Sequence, residues 1–319
     1  MPLGPGTSAL TPSIVDPPRI PARIETVRGQ FQRRAGRLEA HDAILREVGR
    51  RLRERLAIIR IDPQWILDVG CGRGDERLPL LQRYPRATWV GLDVAPAMLE
   101  AAGGPAGGWA AAWRRRLQRR ARALVACAEA GSLPIGRATV DLLYSNLVLN
   151  WHPAPHTVFP EWHRVLREGG LVMFSSFGPD TLKELRAACV RAGLRAVPMP
   201  FVDMHDFGDM LVASGFSTPV MDVEVLRLTY RSAGDLLAEV RALGGNPRDD
   251  RAAGLPSGRS ARALRSALDD MRDREGRIAL TFEVAYGHAW KQAPRPPREA
   301  VATFPVDALR AGLHRSRDK

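Results

Sequence analysis

The segment Asp68-Val69-Gly70-Cys71-Gly72-Arg73-Gly74 carries the most informative spacing in the chain. Alternating glycines follow a short apolar run, WILDV, so a backbone turn there can approach a ligand where a Cβ would clash. A dinucleotide fingerprint needs glycine at the first and third places and glycine or alanine at the sixth. Counted from Gly70, the sixth place is Asp75, so that fingerprint fails. Asp68 and Asp75 would also repel a pyrophosphate. A carboxylate at a strand end can instead hold the ammonium of a zwitterionic amino acid that carries a sulfonium. Two more acids stand at equivalent places. Asp93 closes the run ATWVGLD, where it can accept from two ribose hydroxyls. Glu129 ends RALVACAE, where it can accept from an exocyclic adenine amine while the next backbone N–H meets the ring. Singly, Asp93 or Glu129 would pass for a turn or cap residue. Together with the glycines they predict a nucleoside-type cofactor site.

Five nearly all-apolar runs must position these groups: WILDVGCG, ATWVGLDV, RALVACAE, VDLLYSNLVL and GGLVMFSSF. Their composition predicts buried parallel strands. Helical stretches separate most of them, at Glu76 to Tyr84, Ala95 to Ala102 and Val158 to Leu166. Alternating strand and helix predicts a parallel sheet covered on both faces. Upstream, Ile44, Val48, Leu52 and Leu56 recur at helical spacing within residues 25–60, which read as one or two helices.

Past Phe177, DTLKELRAACVRAG reads as a helix capped by Asp180 and closed by Gly193, and DMHDFGDMLVASGF as one closed by Gly215. VMDVEVLRLTY alternates like a half-exposed strand, and RIALTFEVAYGHAW is a last strand that suits an antiparallel partner. Two helical stretches between them form a cap. The expected organisation is a disordered leader (1–24), N-terminal helices or lid (25–60), the main domain (61–230), a helical cap (231–276), the last strand (277–291) and a flexible tail (292–319).

The chain has 319 residues, 45% hydrophobic and 26% charged, an ordinary globular composition. No run approaches the ~20 apolar residues of a membrane span, and the start lacks a signal-peptide pattern, so a cytoplasmic protein is expected. Cys71, Cys127 and Cys189 lie far apart, without metal-type spacing or a disulfide framework. The formal charge of +12 is almost all arginine, since lysine stands only at Lys183, Lys291 and Lys319. The densest cluster, Arg114 to Arg122, reads as a solvated helical insertion before it reads as a docking surface.

ILDVGCGRG, GLDVAPAML, E-x-x-x-LPI and LREGGLVMFSS together resemble the class I S-adenosylmethionine-dependent methyltransferases over about Pro63 to Phe177. The resemblance implies a Rossmann-like α/β fold. The seven-stranded sheet would be mostly parallel with an antiparallel last strand, with N-terminal helices and a helical cap added. It implies that Asp68, Gly70 and Gly72 contact the methionine part of S-adenosylmethionine, Asp93 the ribose, and Glu129 with Ala130 the adenine. Cys71, Val94, Met98 and Asn146 complete the expected cofactor-binding set. More specifically, VRGQFQRRAGRLEAHDAILREV, SNLVLNW, FGPDTLKELR, LGGNP and FEVAYGHAWK resemble the malonyl-acyl-carrier-protein O-methyltransferases of biotin synthesis. The class I enzymes more often have Asp at the Glu129 position, and the malonyl-acyl-carrier-protein family commonly has an aromatic where this chain has Leu38.

A malonyl carboxylate is ionised at pH 7 and needs no general base. Rate would come from alignment and from removing water around the nucleophile. Donors must still hold that carboxylate. The candidates are Asn146, Tyr144, Trp151 and His152 near the fourth strand, and Tyr286, His288 and Trp290 in the last. Asn146 is preferred among them, because it stands at the carboxyl end of the central strand. Trp151, Trp290 and Tyr286 read as packing residues before they read as substrate contacts, and His152 and His288 as structural histidines before catalytic ones. The expected partner is an acidic carrier protein met by a basic monomeric enzyme, with no membrane and no nucleic acid. Two alternatives stay open at this point. One is the same fold acting on another substrate, as in a respiratory-complex assembly factor. The other is a nucleic-acid-binding scaffold that has lost catalysis.

Overall fold

The computed structural model describes residues 22–36, 42–102, 123–194, 198–244 and 258–292. Its strands are β1 (Trp65–Val69), β2 (Thr88–Asp93), β3 (Ala123–Cys127), β4 (Val140–Asn146), β5 (Leu166–Phe177), β6 (Ser217–Tyr230) and β7 (Ile278–Trp290). They form one sheet in the order β3-β2-β1-β4-β5-β7-β6. The first five run parallel, and β7 is antiparallel to both β5 and β6. The expected α/β class and antiparallel last strand are therefore what the chain adopts. Strand order reverses between β1 and β4, which is where an open α/β sheet leaves a crevice at its carboxyl edge.

The helices are α1 (Ile24–Arg34), α2 (Ala43–Ile58), α3 (Arg77–Arg83), α4 (Pro96–Ala101), α5 (Val158–Val165), α6 (Lys183–Arg191), α7 (Met204–Ala213), α8 (Ala233–Leu243) and α9 (Gly258–Asp269). Two cores lie on the two faces of the sheet. Because side chains alternate along a strand, Ile66, Leu142 and Tyr144 join α2 and α3 on one face. Leu67, Leu143 and Val172 join α5 and α7 on the other. The stripe Ile44, Val48, Leu52 and Leu56 is almost wholly buried and lays α2 onto the sheet. Its polar side is tied down by arginines: Arg51 pairs with Glu224 and Arg55 with Asp222, both on β6. The Arg55 guanidinium also lies 3.8 Å over the Tyr286 ring.

Three local expectations change. β5 starts at Leu166, not at Gly169, because the chain leaves α5 directly into the sheet. The register then jumps between Leu166 opposite Val140 and Leu171 opposite Leu142. Asp180 does not cap a helix. The chain enters α6 through Leu182 in the left-handed region (φ 61°), where Leu182 N–H donates to the Thr281 carbonyl at 2.8 Å. The Asp180 carboxylate pairs with Lys183 instead. β3 ends at Cys127, two residues before Glu129. Gly193 and Gly215 do follow the ends of α6 and α7 with positive φ. The expected leader and tail fall almost entirely outside the described residues, and the Arg114–Arg122 cluster and Leu38 wholly so. Among the described residues no helix is long and apolar enough to cross a membrane.

Candidate functional site

The glycine turn is built by β1 and β2 together. The Gly70 and Cys71 N–H groups both donate to the Leu92 carbonyl, at 2.7 and 2.9 Å. Gly70, Gly72 and Gly74 all take positive φ, between 53° and 75°, which a Cβ would strain. At Gly70 there is no room for one either, since it would lie 2.0 Å from Val148 Cγ2. The turn is thereby pressed against the loop that follows β4, and a cavity opens beside it.

That cavity is lined by Asp68, Val69, Gly70, Cys71, Gly72 and Arg73 of the turn, and by Asp75 and Glu76 beyond it. Asp93, Val94 and Met98 line it from β2 and α4, and Ala128 and Ala130 from the loop after β3. Asn146 to Val148, Trp151 and His152 follow from the β4 side. Ile24, Val27 and Phe31 of α1, Leu45 and Arg46 of α2, and Leu243 of α8 close it over.

Asp68 is buried, and its Oδ2 has no hydrogen-bond partner among the described residues. Burial first, and the neighbouring Glu76 charge second, push its carboxyl well above the usual carboxylate range. A buried carboxylate with an unpartnered oxygen costs stability unless a cation meets it. The ammonium of a zwitterionic sulfonium donor is such a cation. Asp68 offers an acceptor for an ammonium, and Arg73 lines the same cavity, while Arg46 on its wall is paired with Asp42 at 2.7 Å.

Glu76 is held differently. Arg53 Nη1 lies 2.6 Å from both its oxygens, and Tyr144 Oη lies 3.1 Å from Oε2. The single Tyr144 proton is shared between Glu76 and the Gly49 carbonyl at 3.2 Å. A side chain at Gly49 would sit 2.2 Å from Glu76 Oε1, so this helix position must stay bare. Two residues on, Asn146 Nδ2 donates to the Leu45 carbonyl at 3.1 Å, and Asn146 Oδ1 accepts from Ser175 Oγ at 2.7 Å. The spacing has a geometric reason. Two residues of strand advance about 6.6 Å and four residues of helix about 6.0 Å, so Tyr144 and Asn146 meet Gly49 and Leu45.

Asp93 accepts from Gly72 N–H on Oδ2 (3.0 Å) and from Ala95 N–H on Oδ1 (2.8 Å). Burial pushes its carboxyl up to about 6 against these hydrogen bonds. With Val94 N–H as a third backbone donor, the carboxylate still keeps acceptor capacity that a ribose hydroxyl can use. Glu129 does not itself line the cavity, although Ala128, Ala130 and His152 around it do. It accepts from His152 Nε2 (2.7 Å) and Gly131 N–H (2.8 Å), both on Oε1.

Trp151 joins the lid to the cap. Phe31 of α1 meets it edge-on at 5.5 Å between ring centres. Its indole N–H reaches the Asn150 amide oxygen at 2.9 Å once that amide is oriented by its hydrogen bonds. Gly244 closes over the ring from the end of α8.

The structure thus brings together Asp68, Gly70, Cys71, Gly72, Asp93, Val94, Met98, Ala130, Asn146 and Trp151, with Glu129 just behind Ala130. Tyr144 is not among the lining residues: its hydroxyl is held in the α2 interface by the Gly49 carbonyl and Glu76. Asn146 reaches the wall, but its amide is committed to α2 and β5, so it is no ready donor for an acceptor. Tyr286, His288 and Trp290 are misplaced for a physical reason. β7 is antiparallel, so Tyr286 to Trp290 run back along β5 from Ser175 to Leu171, away from the carboxyl edge. Sequence reasoning missed Arg46, Glu76, Phe31 and Leu243. Helical spacing within 25–60 marks a stripe for burial but does not tell which end overhangs a cleft.

Residues 67–174 match the family model described as a methyltransferase domain. The chain is similar to the malonyl-[acyl-carrier protein] O-methyltransferase of Laribacter hongkongensis, with 42% identity over 277 residues, 86% of this chain and 91% of that one. It is 39% identical over 279 residues to the protein of the same name from Gallionella capsiferriformans, covering 87% and 94%. Among solved structures, it is similar in fold to phosphoethanolamine N-methyltransferase 2 of Haemonchus contortus, solved in complex with S-adenosyl-L-methionine. The TM-score is 0.50 and the identity 15%, over 84% of this chain and 60% of that one.

Proposed function

The chain belongs to the malonyl-[acyl-carrier protein] O-methyltransferase family, and on that footing we propose that it methylates the free carboxylate of malonyl-acyl-carrier protein, or of malonyl-CoA, in biotin biosynthesis. The methyl donor is S-adenosylmethionine, whose sulfonium, when bound, offers a carbon open to in-line attack. The single observation that carries the reading is the buried Asp68 carboxylate, with Oδ2 unpartnered, on the wall of the cavity at the carboxyl edge.

Each residue then has simple work to do. Asp68 and the Gly70–Gly72 turn hold the ammonium end, and Arg73 on the cavity wall faces the amino acid's carboxylate. Asp93 accepts from the ribose, with Val94 and Met98 packed beside it. Glu129 and the Ala130 backbone meet the adenine. The acceptor carboxylate arrives already ionised, so no side chain need take a proton. Ile24, Val27, Phe31, Leu45, Trp151 and Leu243 are apolar, and they strip water from the place of reaction. A formal charge of +12 favours encounter with an acidic carrier protein.

Incubating the full chain with methyl-labelled S-adenosylmethionine and malonyl-acyl-carrier protein should label the carrier as a base-labile ester. The gene should also restore growth to a biotin-requiring strain that lacks its own carboxylate methyltransferase. If the protein binds S-adenosylhomocysteine yet leaves the malonyl carrier unlabelled, the acceptor assignment is wrong while the donor site stands.

A further inference from the structure

His152 is 7% exposed, lines the cavity and has both ring nitrogens engaged. The Ala154 N–H donates to Nδ1 at 3.1 Å. A nitrogen that accepts carries no proton, so the ring is the neutral tautomer with its hydrogen on Nε2. That hydrogen points at Glu129 Oε1, 2.7 Å away, where Gly131 N–H also arrives at 2.8 Å. Two donors on one oxygen fix the rotation of the carboxylate and leave Oε2 without either of them. The Glu129 side chain remains 31% exposed, so that second oxygen can be reached. The turn beneath is itself braced, since Trp162 Nε1 donates to the Ala130 carbonyl at 3.1 Å. The His152 hydrogen bond also holds the Glu129 carboxyl below its usual range, which keeps it an acceptor.

We propose that His152 is a positioning residue for donor recognition: it turns Glu129 so that one carboxylate oxygen is presented to the 6-amino group of the donor's adenine. The inference rests on the donor reading above and adds a residue that never touches the amine itself. It accounts for a buried histidine that the transfer step does not use. It also explains how the longer Glu can serve at this place, because a long side chain needs a second anchor to hold one rotamer.

The test compares S-adenosylhomocysteine with S-inosylhomocysteine, in which an acceptor oxygen replaces the amine, by calorimetry on the full chain. The wild type should prefer the adenosyl ligand by about tenfold or more, as expected for a hydrogen bond to a charged group. His152→Ala should bring that ratio close to one, and His152→Gln, which keeps a donor, should retain most of it. Glu129→Gln should invert the preference, because an amide N–H₂ turned to the ring suits the inosyl oxygen. Its preference should disappear again in the His152→Ala background. The proposal is overturned if His152→Ala weakens both ligands equally, or if the wild type does not discriminate. A wild type that binds neither ligand overturns the donor reading and this inference with it. Binding without transfer to the malonyl carrier leaves the inference standing.

Discussion

The Trp151 indole fills the space a side chain on Gly244 would need: a Cβ there would lie 2.1 Å from Cη2 and 2.4 Å from Cζ2. Gly244 ends α8 at φ 149°, so the last turn of the cap is shaped to admit the ring. Phe31 holds the ring from the lid side, and lid, cap and β4 loop therefore share one side chain. Gly244→Ala should cost about 1–3 kcal/mol in urea unfolding, as an overpacked site does. It should also weaken S-adenosylhomocysteine binding by displacing Trp151 from Phe31. Phe31→Ala should weaken binding in the same direction with a smaller loss of stability, because it empties space and displaces nothing.

Tyr144 offers the opposite signature. Its hydroxyl lies in the α2 interface between the Gly49 carbonyl and Glu76, and burial first, then the Glu76 charge, raise its pKa well above the usual tyrosine range. Tyr144→Phe should cost about 1 kcal/mol of stability and leave kcat and both KM values within about twofold, which steady-state assays would check. Gly49→Ala should be far more damaging. The Glu76 carboxylate it strikes is anchored by Arg53 and cannot step aside, so a loss of about 3 kcal/mol is expected in denaturant titration.

How far the sequence could be read follows from these same residues. Asp68, Gly70, Gly72 and Asp93 were legible because their roles are set by strand ends and backbone conformation, which short spacing encodes. The five parallel strands were legible for the same reason, being nearly all-apolar runs. Tyr144 was not legible because period-two alternation places it on one face with Asn146 without telling what covers it. What covers it is α2, whose Leu45 and Gly49 carbonyls belong to a segment about 100 residues earlier. The β7 candidates lie off the crevice because an antiparallel strand brings its start, not its end, to the carboxyl edge. Arg46, Phe31 and Leu243 come from helices whose burial pattern is ordinary, so nothing local marks them.

Asp93 predicts two pH trends of opposite sense. Its folded pKa of about 6 lies above the usual 3.8 because burial outweighs its backbone hydrogen bonds from Ala95, Gly72 and Val94. The folded state therefore keeps a proton that the unfolded chain releases. Stability of the unliganded protein should fall as pH rises from about 4 to about 6 and then level off, by up to about 3 kcal/mol from this group. Ligand affinity runs the other way, since ribose hydroxyls favour the ionised carboxylate. S-adenosylhomocysteine binding should tighten as pH rises toward 6 and flatten above it. Asp68, also raised by burial, adds to both trends. Asp93→Asn should flatten both slopes, a difference that calorimetry and urea titrations from about pH 4 to about pH 7 would resolve.

Asn146 separates a structural role from a substrate-holding one. Its Nδ2 donates to the Leu45 carbonyl, and its Oδ1 accepts from Ser175 Oγ, which in turn accepts from Leu147 N–H at 3.0 Å. The amide thus ties the start of α2, with Leu45 and Arg46 on the cavity wall, to β5. Asn146→Ala should cost about 1–2 kcal/mol of stability and raise the KM for S-adenosylmethionine, because the wall loosens, with a smaller change in kcat. Asn146→Asp should be worse at pH 7, since it sets a carboxylate oxygen against the Leu45 carbonyl with no proton between them. Relative to wild type at the same pH, it should recover near about pH 5, where a carboxyl with its pKa raised by burial regains a donor. If Asn146→Ala instead lowered kcat sharply with unfolding unchanged, the residue would be holding the acceptor and its place in the α2 interface would be secondary.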